Sequence, residues 1–344
     1  MQAVGDVERF KDLLPSAINT SDAVSALVRP CLRAAPGKML CMGDFASIEA
    51  RGVAWCADEQ QQLDLFAQGA DLYCDLASKL FGYEVTKKHK RERSVGKEAV
   101  LGCGYSMGAE KFAARCAAQG IDLAASNTSA KDVVEGYREA YPAIAGTKTL
   151  SNGHMWRQGG LWRNVEAAAR RAICTGQTTS VGRCDFCREG TSLVIVLPSG
   201  RRLFYRNARV EDVVPAYCQQ LGLPPRPKAT IVFDGPKMLN TPTYGGKLVE
   251  NMVQAICRDL LAAAIVQCER RGLPVVLHIH DEIVIEVPAD DSQAALDRLV
   301  TSMSAPPEWA HGFPIEVEAF AADRYFKSAP EGARQVRARN GQLV

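Results

Sequence analysis

The sequence predicts an α+β protein with antiparallel strands, and three observations carry that expectation. Apolar residues recur at helical spacing through much of 46–150 and again over 246–271. Short β-rich runs stand at 39–42, 193–197, 202–205, 275–279, 283–287 and 315–319, most of them bounded by turn residues. The helical block lies in the middle, flanked by strand-bearing segments, a segregation typical of α+β chains.

Taken in order, the first ~35 residues are mixed and punctuated by Pro15, Pro30 and Pro36. A strand at 39–42 stops at Gly43-Asp44. A helix over 46–57 follows, with Ile48, Val53, Ala54 and Ala57 on one face. Residues 58–150 read as helices broken at Gly82, Gly120 and Pro142, with a basic stretch at 87–91. The Gly- and Thr-rich stretch 175–182 precedes strands at 193–197 and 202–205, joined by the turn Pro198-Ser199-Gly200. After the helix at 246–271, two β-rich runs enclose His280-Asp281-Glu282 and predict a hairpin. The strand at 315–319 alternates apolar and acidic residues, and the tail is polar and basic.

Composition excludes several classes. The 344 residues are 47% hydrophobic and 23% charged, enough to bury a core. Lys plus Arg number 41 against 39 Asp plus Glu, so any basic surface must be local. No apolar run approaches the ~20 residues of a membrane span, so no membrane partner is expected. The first residues lack the pattern of a secretory signal. Of the 12 cysteines, Cys41, Cys56, Cys103, Cys257 and Cys268 sit in apolar segments and read as small core residues of a cytoplasmic protein. Cys184-x2-Cys187 supplies only two metal ligands. Cys174 and His154 are irregularly spaced from it, so no zinc site is expected.

Three constellations remain. Asp44 sits where a strand gives way to a helix, a place that also suits a helix N-cap. Arg93, Lys97, Leu101 and Tyr105 recur in steps of four on one helical stripe. Alone, that stripe fits a solvated face, but Gly96, Gly102 and Gly104 each cost about 1 kcal/mol inside a helix, so close approach of a partner or bending is expected. His280-Asp281-Glu282 places two adjacent carboxylates at a hairpin, where turn chemistry alone could explain them.

In this order the three sets resemble the motifs of the DNA polymerase I family (family A DNA polymerases). Asp44-x2-Ser47-Ile48-Glu49-x-Arg51 resembles the first motif with an altered centre. The stripe resembles the fingers helix, and His280-Asp281-Glu282 the family's hairpin. Asp71-Leu72-Tyr73 through Phe81-Gly82 resembles the segment before the fingers helix. Leu197 to Arg201, and Tyr244-Gly245-Gly246-Lys247-Leu248 through Gln254, resemble phage members.

The resemblance implies an antiparallel-sheet palm and a mostly helical fingers subdomain. The expected division is 1–57 (N-terminal segment and first palm part), 58–190 (fingers) and 191–344 (second palm part with the hairpin). It implies template-directed addition of dNTPs to a primer 3′-hydroxyl by two-metal phosphoryl transfer in phage or prophage replication, inside a bacterial or phage-infected cell. Asp44 and Asp281 would hold two Mg²⁺, with Glu282 in support. Arg93, Lys97, Leu101, Glu49 and Tyr73 would meet the dNTP, with Lys97 a candidate acid for the leaving pyrophosphate and Glu49 the steric gate against ribonucleotides. Tyr105, Arg51, Gln254 and His280 would meet primer–template DNA.

The sequence departs from the family at Leu101, where an aromatic is usual, and at Ser106, where glycine is usual. Only 43 residues precede Asp44, so thumb and exonuclease domains are expected to be absent. A separate chain carrying one of them is a possible partner. The rival reading is a catalytically weak or inactive polymerase-fold subunit that binds DNA and needs such a partner.

Overall fold

The computed structural model describes residues 28–151, 154–214, 218, 222 and 224–344, so the expectations for 1–27 lie outside the described residues. Strand β1 (Lys38–Phe45) leads into helix α1 (Ile48–Ala57). Helices α2 (Gln60–Gln68), α3 (Leu72–Phe81), α4 (Lys90–Cys103), α5 (Ala109–Ala118), α6 (Ala130–Ala140) and α7 (Pro142–Ala145) follow. Then come the hairpin β2 (Thr147–Ser151) and β3 (His154–Gln158), and helix α8 (Leu161–Thr175). Six strands run next: β4 (Thr179–Val181), β5 (Cys184–Glu189), β6 (Ser192–Val196), β7 (Arg202–Val213), β8 (Lys228–Asp234) and β9 (Thr241–Thr243). The long helix α9 (Gly245–Arg270) precedes β10 (Val275–Ile279), β11 (Glu282–Pro288) and α10 (Ser292–Ser304). Strands β12 (Glu316–Ala322), β13 (Gln335–Arg339) and β14 (Gln342–Leu343) close the chain. The fold is α+β with antiparallel sheets, as the sequence predicts.

The chain forms two compact units. One comprises the chain up to Ala46 with Leu261–Pro306 and Ile315–Val344, and the other comprises Ser47–Leu260 with Pro307–Pro314.

The first unit is built on a six-stranded sheet in the order β10-β11-β1-β12-β13-β14. Side chains alternate along β1, so Leu40, Met42 and Asp44 share one face and Cys41, Gly43 and Phe45 the other. Helix α10 covers the second face through Leu296, Leu299 and Met303. Gly43 permits that approach, since a Cβ there would lie 2.6 Å from the Met303 sulfur. On the first face Leu40 and Met42 pack with Val284, Ala322 and Tyr325.

In the second unit the glycines of the fingers-like helix have a local cause. A Cβ at Gly96 would lie 2.3 Å from the Tyr73 carbonyl, so α3 and α4 touch backbone to side. The close partner is the chain's own neighbouring helix. Gly245 and Gly246 do the same for the start of α9, where added Cβ atoms would meet the carbonyls of Trp162 at 1.9 Å and Tyr105 at 2.4 Å. Strands β4 to β9 form an antiparallel meander.

Some elements differ from expectation. Strands β4, β5, β8 and β9 escape the sequence reading because each is short or carries polar residues over much of its length. Cys41, Cys56, Cys103 and Cys268 are buried, whereas Cys257 is only half-buried and bonds the Ile48 carbonyl at 3.6 Å. Cys184 is buried within β5, Cys187 half-buried and Cys174 exposed. Among the described residues no helix is long and apolar enough to cross a membrane.

Candidate active site

Asp44 lies on β1 two residues beyond Met42, so the apolar face of the sheet turns acidic at its end. Its cross-strand partners are Glu282 on β11 and Glu318 on β12. Residues directly opposite in a ladder have neighbouring side chains, and like charges there repel. Asp281 joins the cluster from the turn between β10 and β11, where its carbonyl accepts the Phe45 amide at 3.2 Å. Asp44, Asp281, Glu282 and Glu318 line one cavity of about 580 Å³ together with Arg29 and Lys327. Burial, then the charges of Asp281, Glu282 and Glu318, pushes the Asp44 carboxyl up to about 7. Burial also raises Asp281 and Glu282. Tyr325 donates a 2.5 Å hydrogen bond to Glu282, and the Arg29 guanidinium lies 5.7 Å over the Tyr325 ring. Exposed His280 adopts a left-handed conformation, φ 52°, which shapes the tight turn.

The helix-cap alternative for Asp44 fails, because the N-cap of α1 is Ser47 and no side chain caps that end. The turn-chemistry alternative covers His280 and Asp281 but not Glu282, which is the first residue of β11.

A second group forms around α1 and α4. Glu49 accepts the Tyr105 hydroxyl at 2.8 Å and the Gln254 amide at 3.4 Å. Two residues from distant parts of the sequence therefore converge on one carboxylate. Burial, then the Glu49 charge, keeps the Tyr105 phenol well above its ordinary range. The stripe itself needs a correction. Helix α4 ends at Cys103, so Tyr105 stands in the following turn, with Ser106 left-handed at φ 65°. Just past the helix end the Gly104 carbonyl accepts the buried Trp162 indole at 2.7 Å.

Arg93 bonds Asp71 through Nε at 2.9 Å and lies 5.3 Å over the Tyr73 ring. Asp71 also caps α3, accepting the amides of Tyr73 and Cys74. Burial opposes ionisation of Asp71, but the Cys74 amide and Arg93 hold it below the usual carboxylate range. Tyr73 meets Ser47 hydroxyl to hydroxyl at 2.8 Å. Lys97 is exposed with no ion pair among the described residues, and Leu101 is half-buried. The turn at 198–200 is pinned to α9, because Ser199 and Arg201 both bond Asp259, at 2.5 and 2.6 Å.

Arg51 departs from expectation. It is 4% exposed, donates to the Pro314 carbonyl at 3.1 Å and stacks 4.4 Å over Phe66. Its guanidinium meets the fold at both of these partners.

Sequence reasoning missed Glu318 and Tyr325, and it named Asp71 without giving it a role. Glu318 left a signal, an acidic residue within an apolar strand. Asp71 left one too, an Asp before an apolar helix. Tyr325 left none.

No three His, Cys, Asp or Glu side chains among the described residues are grouped to hold a metal alone. The donor set still suits Mg²⁺, a hard ion that takes one or two carboxylates and keeps water and phosphate ligands. The repulsion at Asp44 is what a cation would relieve.

Comparison with known proteins points to one family. Residues 15–170 match the family described as DNA polymerase family A. The chain is 30% identical over 311 residues to a DNA polymerase of Bacillus phage SP02, covering 88% of this chain and 44% of that protein. It is 24% identical over 284 residues to DNA polymerase I of Chloroflexus aurantiacus, covering 81% of this chain and 23% of that protein. The fold matches the polymerase domain of Pol1 from M. smegmatis, solved with DNA primer-template and dNTP. The TM-score there is 0.55 at 17% identity, over 91% of this chain and 44% of that one. The chain thus spans less than half the length of these relatives. Residues 15–170 thus match DNA polymerase family A, and the likeness to a phage DNA polymerase runs over 88% of the chain.

Proposed function

We propose that the chain performs template-directed DNA synthesis, adding dNTPs to a primer 3′-hydroxyl. The carrying observation is the acidic cluster itself: Asp44 between Glu282 and Glu318, with Asp281 lining the same cavity. Sheet proteins avoid such a row unless a cation compensates it.

In this reading Asp44 and Asp281 hold two Mg²⁺. When bound, the ions supply neutralisation of the charge that develops on the transferring phosphoryl group. Glu282 is a supporting carboxylate fixed by Tyr325. Lys97 receives the triphosphate as an unpaired cation, and Arg93 joins it by exchanging Asp71 for phosphate. Lys97 also stands as the acid for the leaving pyrophosphate. Glu49, held by Tyr105 and Gln254, closes the space beside the sugar C2′ and selects dNTPs. Tyr105 stacks near the template base, Gln254 meets the minor groove and His280 the primer end. The sheet of the first unit serves as the palm, and the helices within 58–190 as the fingers. Replication of phage or prophage DNA fits the SP02 relative.

The test is Mg²⁺-dependent primer extension with dNTPs and with rNTPs, at low salt because phosphate contacts dominate DNA affinity. Extension with dNTPs by the parent and none by Asp281→Asn is expected. DNA binding without extension at any Mg²⁺ concentration overturns the reading in favour of a non-catalytic binding subunit.

A further inference from the structure

The cavity that holds the carboxylates has a cationic side that the proposed chemistry leaves unused. Residues 29–34 run beside residues 323–325: the Tyr325 amide donates to the Leu32 carbonyl and the Ala34 amide to the Asp323 carbonyl, each at 2.9 Å. Arg324 donates to the Pro30 carbonyl at 3.2 Å. This pairing seats Tyr325, 1% exposed, under the Arg29 guanidinium and ties its hydroxyl to Glu282. Two residues further on, exposed Lys327 lines the same cavity and has no ion pair among the described residues. Lys327 shares a cavity with four carboxylates and, among the described residues, forms an ion pair with none of them, which leaves its ammonium open to an anion. The cavity thus offers two kinds of contact. Carboxylates await cations on one side, and a cation awaits an anion on the other.

We propose that Lys327, with Arg29 beside it, binds the backbone phosphodiester of the primer strand next to its 3′ end. The inference rests on the DNA-synthesis reading and adds a residue to it. A strand whose 3′-hydroxyl faces Asp44 and Asp281 carries its own preceding phosphate about one nucleotide away. A cavity of about 580 Å³ has room for that nucleotide. A point-charge lysine suits a single phosphodiester oxygen, which needs no bidentate geometry. Lys327 is then a positioning residue. It fixes the strand that brings the hydroxyl to the carboxylates and touches no reacting atom.

The test is binding of fluorescein-labelled primer–template DNA, read by anisotropy in EDTA without dNTP across a salt series. For Lys327→Gln, weaker binding at low salt and a log–log salt slope shallower by about 1 are expected. Lys327→Arg should restore both. Lys131→Gln, an exposed lysine on α6, should leave both unchanged. An unchanged slope in Lys327→Gln overturns the proposal, as does an equal loss in Lys131→Gln. A raised dNTP KM with unaltered DNA affinity also overturns it, because the anion would then be the triphosphate. Since no metal or turnover enters the binding assay, a parent that binds DNA but never extends it would sink the catalytic reading and leave this contact standing.

Discussion

Asp44 stands directly opposite Glu282 across the β1–β11 ladder. Glu318 flanks Asp44 from the other side, and Asp281 adds a fourth charge from the turn. In the metal-free protein this row stores repulsion. Asp44→Asn should therefore raise thermal stability in EDTA, by about 1 kcal/mol or ~2–4 °C, while abolishing extension. Calorimetry checks it, with a second arm: Mg²⁺ should raise the parent's melting temperature more than the variant's. A variant less stable than its parent in EDTA would mean that the row is not strained.

Glu49 accepts hydrogen bonds from Tyr105 and Gln254, so the gate is held from two sides. Glu49→Ala should lower the dNTP:rNTP selectivity ratio by roughly tenfold or more, about 1.4 kcal/mol. Tyr105→Phe removes one of the two bonds and should lower it less. Single-nucleotide incorporation kinetics measure both, and an unaltered ratio in Glu49→Ala removes the gate role.

Leu101 is half-buried on α4, where the resemblance to the fingers helix implies an aromatic. Without a ring the side chain packs differently against a sugar and base. Leu101→Phe should shift the ratio of dideoxynucleotide to deoxynucleotide incorporation. Equal ratios in parent and variant would show the position to be neutral.

Ser106 holds φ 65° in the turn after α4. That conformation costs a non-glycine residue about 1 kcal/mol. Ser106→Gly should relieve it and raise stability by up to that amount, offset by the entropy glycine gains when unfolded. Denaturant unfolding gives the sign, and a loss of stability would mean that entropy outweighs strain.

Glu135 pairs with Arg157 and Arg138, each at 2.9 Å. Burial alone would raise its carboxyl, but the two arginines bring it down to about 2. A folded-state value below the unfolded one stabilises the fold above the ordinary carboxylate range, and this contribution fades as pH falls toward 2. Glu135→Gln should therefore be less stable than the parent at pH 7, with the gap closing between about 4.5 and about 2. A gap that stays constant over that range would contradict the assignment.

The residues of the two main groups were legible in the sequence, though their partners were not. Helical spacing of apolar residues placed α1 and α9, and short apolar runs placed β1 and the β10–β11 hairpin. Strands β4, β5, β8 and β9 were hidden, since each is short or carries polar residues over much of its length. Arg51 read as an exposed cation, and only the tertiary structure shows it buried against Phe66 and Pro314. Gly96 of α4 signalled close approach without naming the approaching backbone, which is that of Tyr73.

By itself the sequence determined which residue types sit at strand ends and helix faces, because those follow from local periods of 2 and 3.6. The tertiary structure alone decided that Glu318 lies beside Asp44, that Tyr325 holds Glu282, and that Lys327 shares their cavity. Strand register and the pairing of residues 29–34 with 323–325 fix those neighbours. Register is a property of two segments packed together, which no single stretch of chain encodes.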